Sequence, residues 1–332
     1  MSRAVAQTGA NFAMQVLLRE EEWAAHLREK TRLGLQGTPP WIPPVWFYDE
    51  TGSELFDAIT RLPEYYPTEA ERSILRAHAD EIVALADVDT FVELGAGSSE
   101  KTRLLLQAGV QHGRLDRVVP VDCSETFLAA CSADLANAFP TLSVQGVVAD
   151  FTSHLGQLVH SDRRMVMFMG STIGNFDRDD RASFLADIAA DQGPGDCFLL
   201  GTDLVKPAAR LLTAYDDSRG VTARFNLNAL TVMNRQLDAD FEVDAFRHRA
   251  WWDDEGSRIQ MHLVATRDTG ASVGAFDDLR VDFPEGSHLL TEYSTKFTRD
   301  QVAAELSDVG LTVAGSWTDP NDDFLITLAR RT

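Results

Sequence analysis

Three carboxylates and a glycine turn stand where an open α/β sheet does its chemistry. The string FVELGAGSSEKT (91–102) reads as a buried strand, a tight turn at Gly95 and Gly97, and a helix opened by Glu100 and Lys101. Glycines there let the backbone turn sharply and approach a ligand at the carboxyl end of the strand. Glu93 precedes the turn, Asp122 ends the next apolar run (RVVPVD), and Asp150, followed by Phe151, ends the one after (VVADF). A carboxylate so placed can accept two hydrogen bonds from a ribose diol. The dinucleotide fingerprint G-x-G-x-x-G fails because Glu100 stands where the third glycine belongs, which disfavours a nicotinamide cofactor.

These residues need a sheet to hold them. Apolar runs at 90–94, 117–121, 144–148, 165–169 and 197–201 alternate with helical stretches that include 100–108, 124–138 and 178–190. Such alternation predicts a parallel sheet covered on both faces. Upstream, residues 11–35 read as an amphipathic helix with Val16, Leu17, Trp23, Ala24 and Leu27 near one face, stopped by the prolines from Pro39 to Pro44. Ser53 is placed to cap a short helix carrying Leu55, Phe56 and Ile59, and Thr68 and Glu71 have capping-box spacing before a helix over 69–86. From Lys206 the rhythm changes: residues 206–295 mix helix with alternating strand candidates at 258–267 and 278–283. The tail then returns to the first style, with Val302, Leu306 and Val309 on a helix and a closing strand over 324–330. The ordering predicts a doubly wound α/β domain over 69–205 plus 296–332, interrupted by an α+β unit made of 1–68 plus 206–295.

Composition excludes several classes. With 332 residues, 44% hydrophobic and 24% charged, the chain has the makeup of a globular protein and length for two domains. A formal net charge of −21 repels a phosphate backbone and anionic lipid alike, so neither nucleic acid nor membrane is expected as a partner. The charge suits a cationic or zwitterionic small molecule, and it equally serves solubility. Cys123, Cys131 and Cys197 form no C-x-x-C pair, and the eight histidines show no ligand spacing, so neither disulfide framework nor metal is expected. No secretory leader is legible, and no run approaches the roughly 20 apolar residues of a membrane helix. The expectation is a soluble, cytoplasmic monomer.

The E-x-G-x-G turn with acids after the second and third strands resembles the class I methyltransferase pattern, which implies S-adenosylmethionine as cofactor. Three further strings, WFYDETGSELFDAITRLPEYYPTEAE (46–71), GSTIGNF (170–176) with GTDLVK (201–206), and LTEYSTKF (290–297), are similar in order and spacing to the histidine-specific N-alpha methyltransferases of ergothioneine biosynthesis. The resemblance runs from about residue 40 to the end. It implies a class I, Rossmann-like sheet with an inserted substrate domain, and three methyl transfers to the α-amino group of L-histidine, giving hercynine. It implies cofactor positions at Gly95, Lys101, Asp122, Asp150 and Phe151. Tyr65, Asn175 and Tyr215 match positions that hold the amine and carboxylate of the amino acid, and Tyr48 and Phe56 line the place of transfer, with Tyr48 and Asn175 orienting the amine. Glu292 and Ser294, with Met261 nearby, match positions that read the imidazole ring. Two residues depart from the pattern: Ala96 stands where a hydroxyl is common, and Tyr293 stands where a smaller side chain is expected, which would alter packing in the pocket.

Residue chemistry agrees, since Asn175 has both donor and acceptor for an amino acid's ends and Glu292 can accept from an imidazole N–H. Plainer readings exist for each. Glu292 can lie on a solvated face, Tyr65 can pack beside Pro67, Asn175 can simply turn the chain, and Met261 can be core. N-methylation of another aromatic amino acid such as tryptophan, or a non-catalytic cofactor-binding sensor, are the alternatives in function.

Overall fold

The computed structural model describes residues 3–9, 11–97, 101–158 and 163–331. In chain order, a hairpin of β1 (Arg3–Gly9) and β2 (Phe12–Val16) precedes α1 (Glu20–Leu35), α2 (Glu50–Thr60) and α3 (Tyr66–Ala86). An alternating stretch follows: β3 (Thr90–Leu94), α4 (Thr102–His112), β4 (Arg117–Asp122), α5 (Glu125–Ala138), β5 (Ser143–Val148), β6 (Arg164–Phe168), α6 (Arg178–Asp191) and β7 (Cys197–Asp203). Then come α7 (Ala208–Tyr215), α8 (Val221–Gln236), β8 (Phe246–Asp253), β9 (Arg258–Ala265), β10 (Thr269–Val273), β11 (Leu279–Phe283) and β12 (His288–Thr295), and finally α9 (Arg299–Asp308), β13 (Leu311–Thr318) and β14 (Phe324–Arg331).

The chain divides into two compact units, residues 1–20, 69–204 and 297–332 in the first and residues 21–68 and 205–296 in the second. The first unit holds a nine-stranded sheet in the order β1-β2-β5-β4-β3-β6-β7-β14-β13 among the described residues. Strands β2 to β7 run parallel, whereas β14 lies antiparallel between β7 and β13. This is the class I methyltransferase sheet with its reversed last strand. Strands β3, β6 and β7 are buried along their whole length, as their largely apolar text requires of strands covered on both faces. Strand order reverses about β3, whose neighbours are β4 on one side and β6 on the other, so the crevice for ligands lies at the carboxyl end of β3.

Three local expectations are corrected. The helix expected over 11–35 begins only at Glu20, and residues 12–16 instead form β2, pairing in parallel with β5 from Phe12 beside Val144 to Val16 beside Val148. Phe12 and Met14 are buried, and Gly146 leaves room for the Met14 sulfur, which would stand 2.5 Å from a Cβ at that position. Residues 1–20 therefore cluster with the first unit and not, as expected, with the second. The helix expected from residue 69 starts at Tyr66, so Thr68 lies inside it and does not cap it, while Glu71 is fully buried. The cap of α2 is Asp49 rather than Ser53, its carboxylate accepting the Gly52 N–H at 2.8 Å. Glu100, expected to open α4 with Lys101, lies outside the described residues.

The second unit is α+β. Strands β12, β9 and β8 form an antiparallel sheet in that order, and β10 pairs with β11. Helix α8 packs Phe225, Ala229, Leu230 and Met233 into a core with Ala250, Ile259, Met261, Leu263 and Leu289 from that sheet.

Candidate active site

At the switch point the turn after β3 uses the left-handed region twice, with φ +68° at Gly95 and +50° at Gly97. A Cβ at Gly95 would meet the Phe151 ring at 3.8 Å, so the ring stands beside the turn. Phe151 is in turn seated edge-on against Phe168 and Phe184. Below the turn, the buried Glu93 carboxylate accepts from the Thr102 hydroxyl and ties β3 to α4. Lys101 pairs with the buried Glu71 of α3, whose other oxygen accepts the Gly170 N–H at 2.8 Å. Glu71 thus joins the start of α4 to the loop that follows β6. Ala96, where a hydroxyl was expected, is buried.

Asp122 ends β4 beside this turn. Its carboxylate accepts the Ser124 N–H at 3.0 Å, with Gly97 and Cys123 as further backbone partners. Burial nonetheless raises its carboxyl above the ordinary range, against the pull of these hydrogen bonds. Asp150 accepts from the Thr152 N–H at 2.9 Å, the Thr152 hydroxyl at 2.7 Å and the Ser153 hydroxyl at 3.1 Å. An enclosed carboxylate on the second strand, a half-buried aromatic ring after the third and a glycine turn between them suit a nucleoside with a ribose diol. The residues present therefore fit S-adenosylmethionine.

Also in the first unit, Asn175 closes a 3-10 turn (Thr172–Asn175) after β6. The turn is anchored by Ser171, at φ +58°, whose hydroxyl accepts the Asp203 N–H at 2.9 Å. Asn175 is half-buried, and its side-chain amide has no hydrogen-bond partner among the described residues.

The second unit gathers most of the expected substrate residues into one chain of contacts. Tyr48 meets the Phe56 ring at 5.8 Å, Phe56 meets Tyr65 at 6.5 Å, and Tyr65 meets Tyr215 at 6.0 Å, all edge to face. The buried Phe225 backs both Tyr48 and Phe56, at 5.5 and 5.8 Å. Tyr215 is buried at the end of α7, its hydroxyl 2.7 Å from that of Ser294. Glu292 lies two residues before Ser294 on β12 and opposite Met261 on β9, which is 2% exposed and faces the core. The Glu292 carboxylate accepts no hydrogen bond among the described residues, and burial pushes it up to about 7 despite the opposing pull of Lys296. That desolvation argues against a solvated face for Glu292.

Tyr293, where a smaller side chain is expected, is on the face of β12 turned away from Glu292. It lies opposite Gln260, with the Arg258 guanidinium 3.9 Å above its ring. Glu71, Phe225 and Lys296 were not singled out from sequence. Lys296 carried a signal in the period-two series Glu292, Ser294, Lys296, Glu71 was read only as part of a helix cap with Thr68, and nothing local distinguishes Phe225.

Comparison with known proteins agrees with this geometry. The family described as histidine-specific methyltransferase, SAM-dependent, matches residues 27–331. The chain is 49% identical over 314 residues to the histidine N-alpha-methyltransferase of Mycolicibacterium smegmatis, covering 95% of this chain and 98% of that one. Identity and coverage are the same for the histidine N-alpha-methyltransferase of Mycobacterium tuberculosis. Ergothioneine biosynthesis protein 1 of Neurospora crassa is 30% identical over 88% of this chain and 33% of its own length. With sheet, turn and matched sequence in agreement from near one end of the chain to the other, the protein is an S-adenosylmethionine-dependent enzyme of the histidine-specific methyltransferase family.

Proposed function

We propose that the enzyme transfers three methyl groups in succession from S-adenosylmethionine to the α-amino group of L-histidine, giving hercynine, N-alpha,N-alpha,N-alpha-trimethyl-L-histidine, as a step of ergothioneine biosynthesis. The observation that carries this reading is Glu292, an enclosed carboxylate without a hydrogen-bond partner among the described residues, on the same strand face as Ser294. An imidazole N–H suits it, and an apolar amino acid would leave it unsatisfied at a cost of about 1–3 kcal/mol or more. The names of the relatives from both mycobacteria and from Neurospora point the same way.

In this reading the first unit is the cofactor domain and the second the amino-acid domain. Asp122 would take the ribose hydroxyls, Asp150 and Phe151 the adenine, and Gly95 and Lys101 the methionine portion. Bound there, S-adenosylmethionine supplies a methyl carbon already made electrophilic by its sulfonium. The chain's own task is alignment. Tyr65, Tyr215 and Asn175 hold the amine and carboxylate of the amino acid, and Tyr48 and Asn175 orient the amine lone pair. Loss of a proton after each of the first two transfers restores that lone pair, and the third leaves a permanent cation. The faces of Tyr48, Phe56 and Tyr65 offer π surface to the growing ammonium. The enzyme acts as a cytoplasmic monomer on a small molecule. Among the described residues no helix is long and apolar enough to cross a membrane.

The test is mass spectrometry of a reaction holding S-adenosylmethionine with equal L-histidine and L-tryptophan. Mono-, di- and trimethylhistidine should appear in succession. Methylated tryptophan in place of histidine would move the assignment to another aromatic amino acid, and binding of cofactor without any S-adenosylhomocysteine formed would make the chain a sensor.

A further inference from the structure

The inward face of β8 carries Phe246, His248 and Ala250, so a buried polar ring stands in an otherwise apolar row of the second unit. His248 Nε2 lies 2.8 Å from the Tyr215 carbonyl oxygen, and Nδ1 lies 2.8 Å from Asn226 Nδ2. A carbonyl only accepts, so Nε2 carries a proton. The Asp216 carboxylate, 4.0 Å from Nε2, is beyond hydrogen-bond reach and does not compete for it. Asn226 Nδ2 also donates to the His262 carbonyl at 3.2 Å, which fixes the amide with its nitrogen towards both partners. A turned amide would set its oxygen against that carbonyl. Nδ1 therefore faces a donor and is bare, and the ring is neutral with its one proton directed at Tyr215. Burial favours the same state, holding the imidazole below its ordinary range against the pull of the Tyr215 carbonyl, Asp216 and Asp217.

The carbonyl that His248 holds is the last of α7, one of the group that a helix end leaves without a partner inside the helix. Helix α7 has only eight residues, and Asp216 after it stands at φ −143°, so no left-handed cap closes it. Its last residue carries the Tyr215 ring, which meets Tyr65 at 6.0 Å. Stability alone does not select this arrangement. Asn226 Oδ1 is buried without a hydrogen-bond partner among the described residues, a cost that an apolar pair of the same shape would avoid.

We propose that His248 is a positioning residue for the amino-acid substrate: its Nε2–H pins the backbone at Tyr215 and so fixes the place from which the Tyr215 side chain meets the substrate. The inference rests on the reading of Tyr215 given above and adds the group that holds Tyr215 in place.

The experiment measures initial rates of S-adenosylhomocysteine formation against L-histidine concentration for the full-length wild type, His248→Gln and His248→Asn, with S-adenosylhomocysteine affinity by calorimetry alongside. Glutamine sets its amide nitrogen where Nε2 stands and keeps the bond to the carbonyl, whereas asparagine reaches only as far as Nδ1 and loses it. In His248→Asn, KM should rise about tenfold with kcat little changed, and His248→Gln should return KM to near the wild-type value, cofactor affinity holding in both. Equal KM values in the two variants, raised or not, overturn the proposal, because a role in packing alone does not depend on which amide reaches the carbonyl. Should either variant fail to fold, nitrogen NMR of the wild type labelled at its histidine rings decides: a protonated Nε2 and a bare Nδ1 on His248 at neutral pH support it, and a protonated Nδ1 refutes it. A wild type that methylates no L-histidine overturns the substrate assignment and the proposal with it; histidine turnover with KM indifferent to both changes overturns the proposal alone.

Discussion

Replacing Glu292 by Gln should make the ligand-free protein more stable and the histidine complex weaker, and both effects can be sized from the structure. The residue is half-buried, its carboxyl is enclosed, and burial lifts it from 4.5 to about 7. That displacement corresponds to roughly 3 kcal/mol of unfavourable charging in the folded chain. Because the folded value is raised, the native state binds more protons than the unfolded chain between about pH 4.5 and 7, so stability falls as pH rises through that window. Glutamine does not titrate and escapes this loss, but its amide carries a desolvation cost of about 1 kcal/mol of its own. The net expectation is a variant about 2 kcal/mol more stable than wild type at pH 8, with the advantage gone below about pH 4.5. Binding moves the other way. Losing a charged acceptor for the ring N–H costs about 1.5–3 kcal/mol, or roughly 10- to 100-fold in histidine affinity. Urea denaturation at a series of pH values gives the first quantity, and calorimetric titration with L-histidine at pH 8 gives the second. A stability difference that ignores pH, or a variant weaker than wild type at pH 8, would refute the desolvated carboxylate on which the substrate reading depends.

Asp122→Asn should weaken S-adenosylhomocysteine binding by roughly 10- to 100-fold in calorimetry, as a charge-assisted acceptor is lost; because burial raises the Asp122 carboxyl, its urea midpoint at neutral pH should not fall. Glu71→Gln leaves a partly buried Lys101 without its anionic partner, so denaturation should register a loss of about 3 kcal/mol. Cofactor affinity should fall with it, since Lys101 at the start of α4 and the Gly170 loop both hang on Glu71; an unchanged midpoint would show that the pair does not hold the two together.

What was legible in the sequence was set by local periodicity. MVMFM and CFLLG are apolar on both faces and TFVEL is nearly so, broken by Glu93, and that pattern announced a covered parallel sheet with Gly95, Asp122 and Asp150 at one edge. Residues 12–16 were misread because FAMQV and the amphipathic text after it also satisfy a helical face, and only pairing with Val144–Val148, far along the chain, selects the strand. Glu71 failed for the same reason: three residues after Thr68 it has the spacing of a cap, and its real partner, Lys101, lies on a different element.

Strand β12 shows most sharply what periodicity cannot supply. Plain alternation puts Leu290, Glu292 and Ser294 on one face. The structure inserts a bulge at Thr291, whose hydroxyl donates to the Met261 carbonyl at 2.9 Å, and the parity of the strand changes there. Leu290 pairs with His262 and turns away, while Leu289, Glu292 and Ser294 share the face of Leu263, Met261 and Ile259. The apolar side of the sheet thus continues without a break into a carboxylate and a hydroxyl, which places these two polar groups against the core instead of in water. A regular strand would have put either Leu289 or Glu292 on the wrong side, so the enclosure that raises Glu292 follows from one extra residue in the ladder.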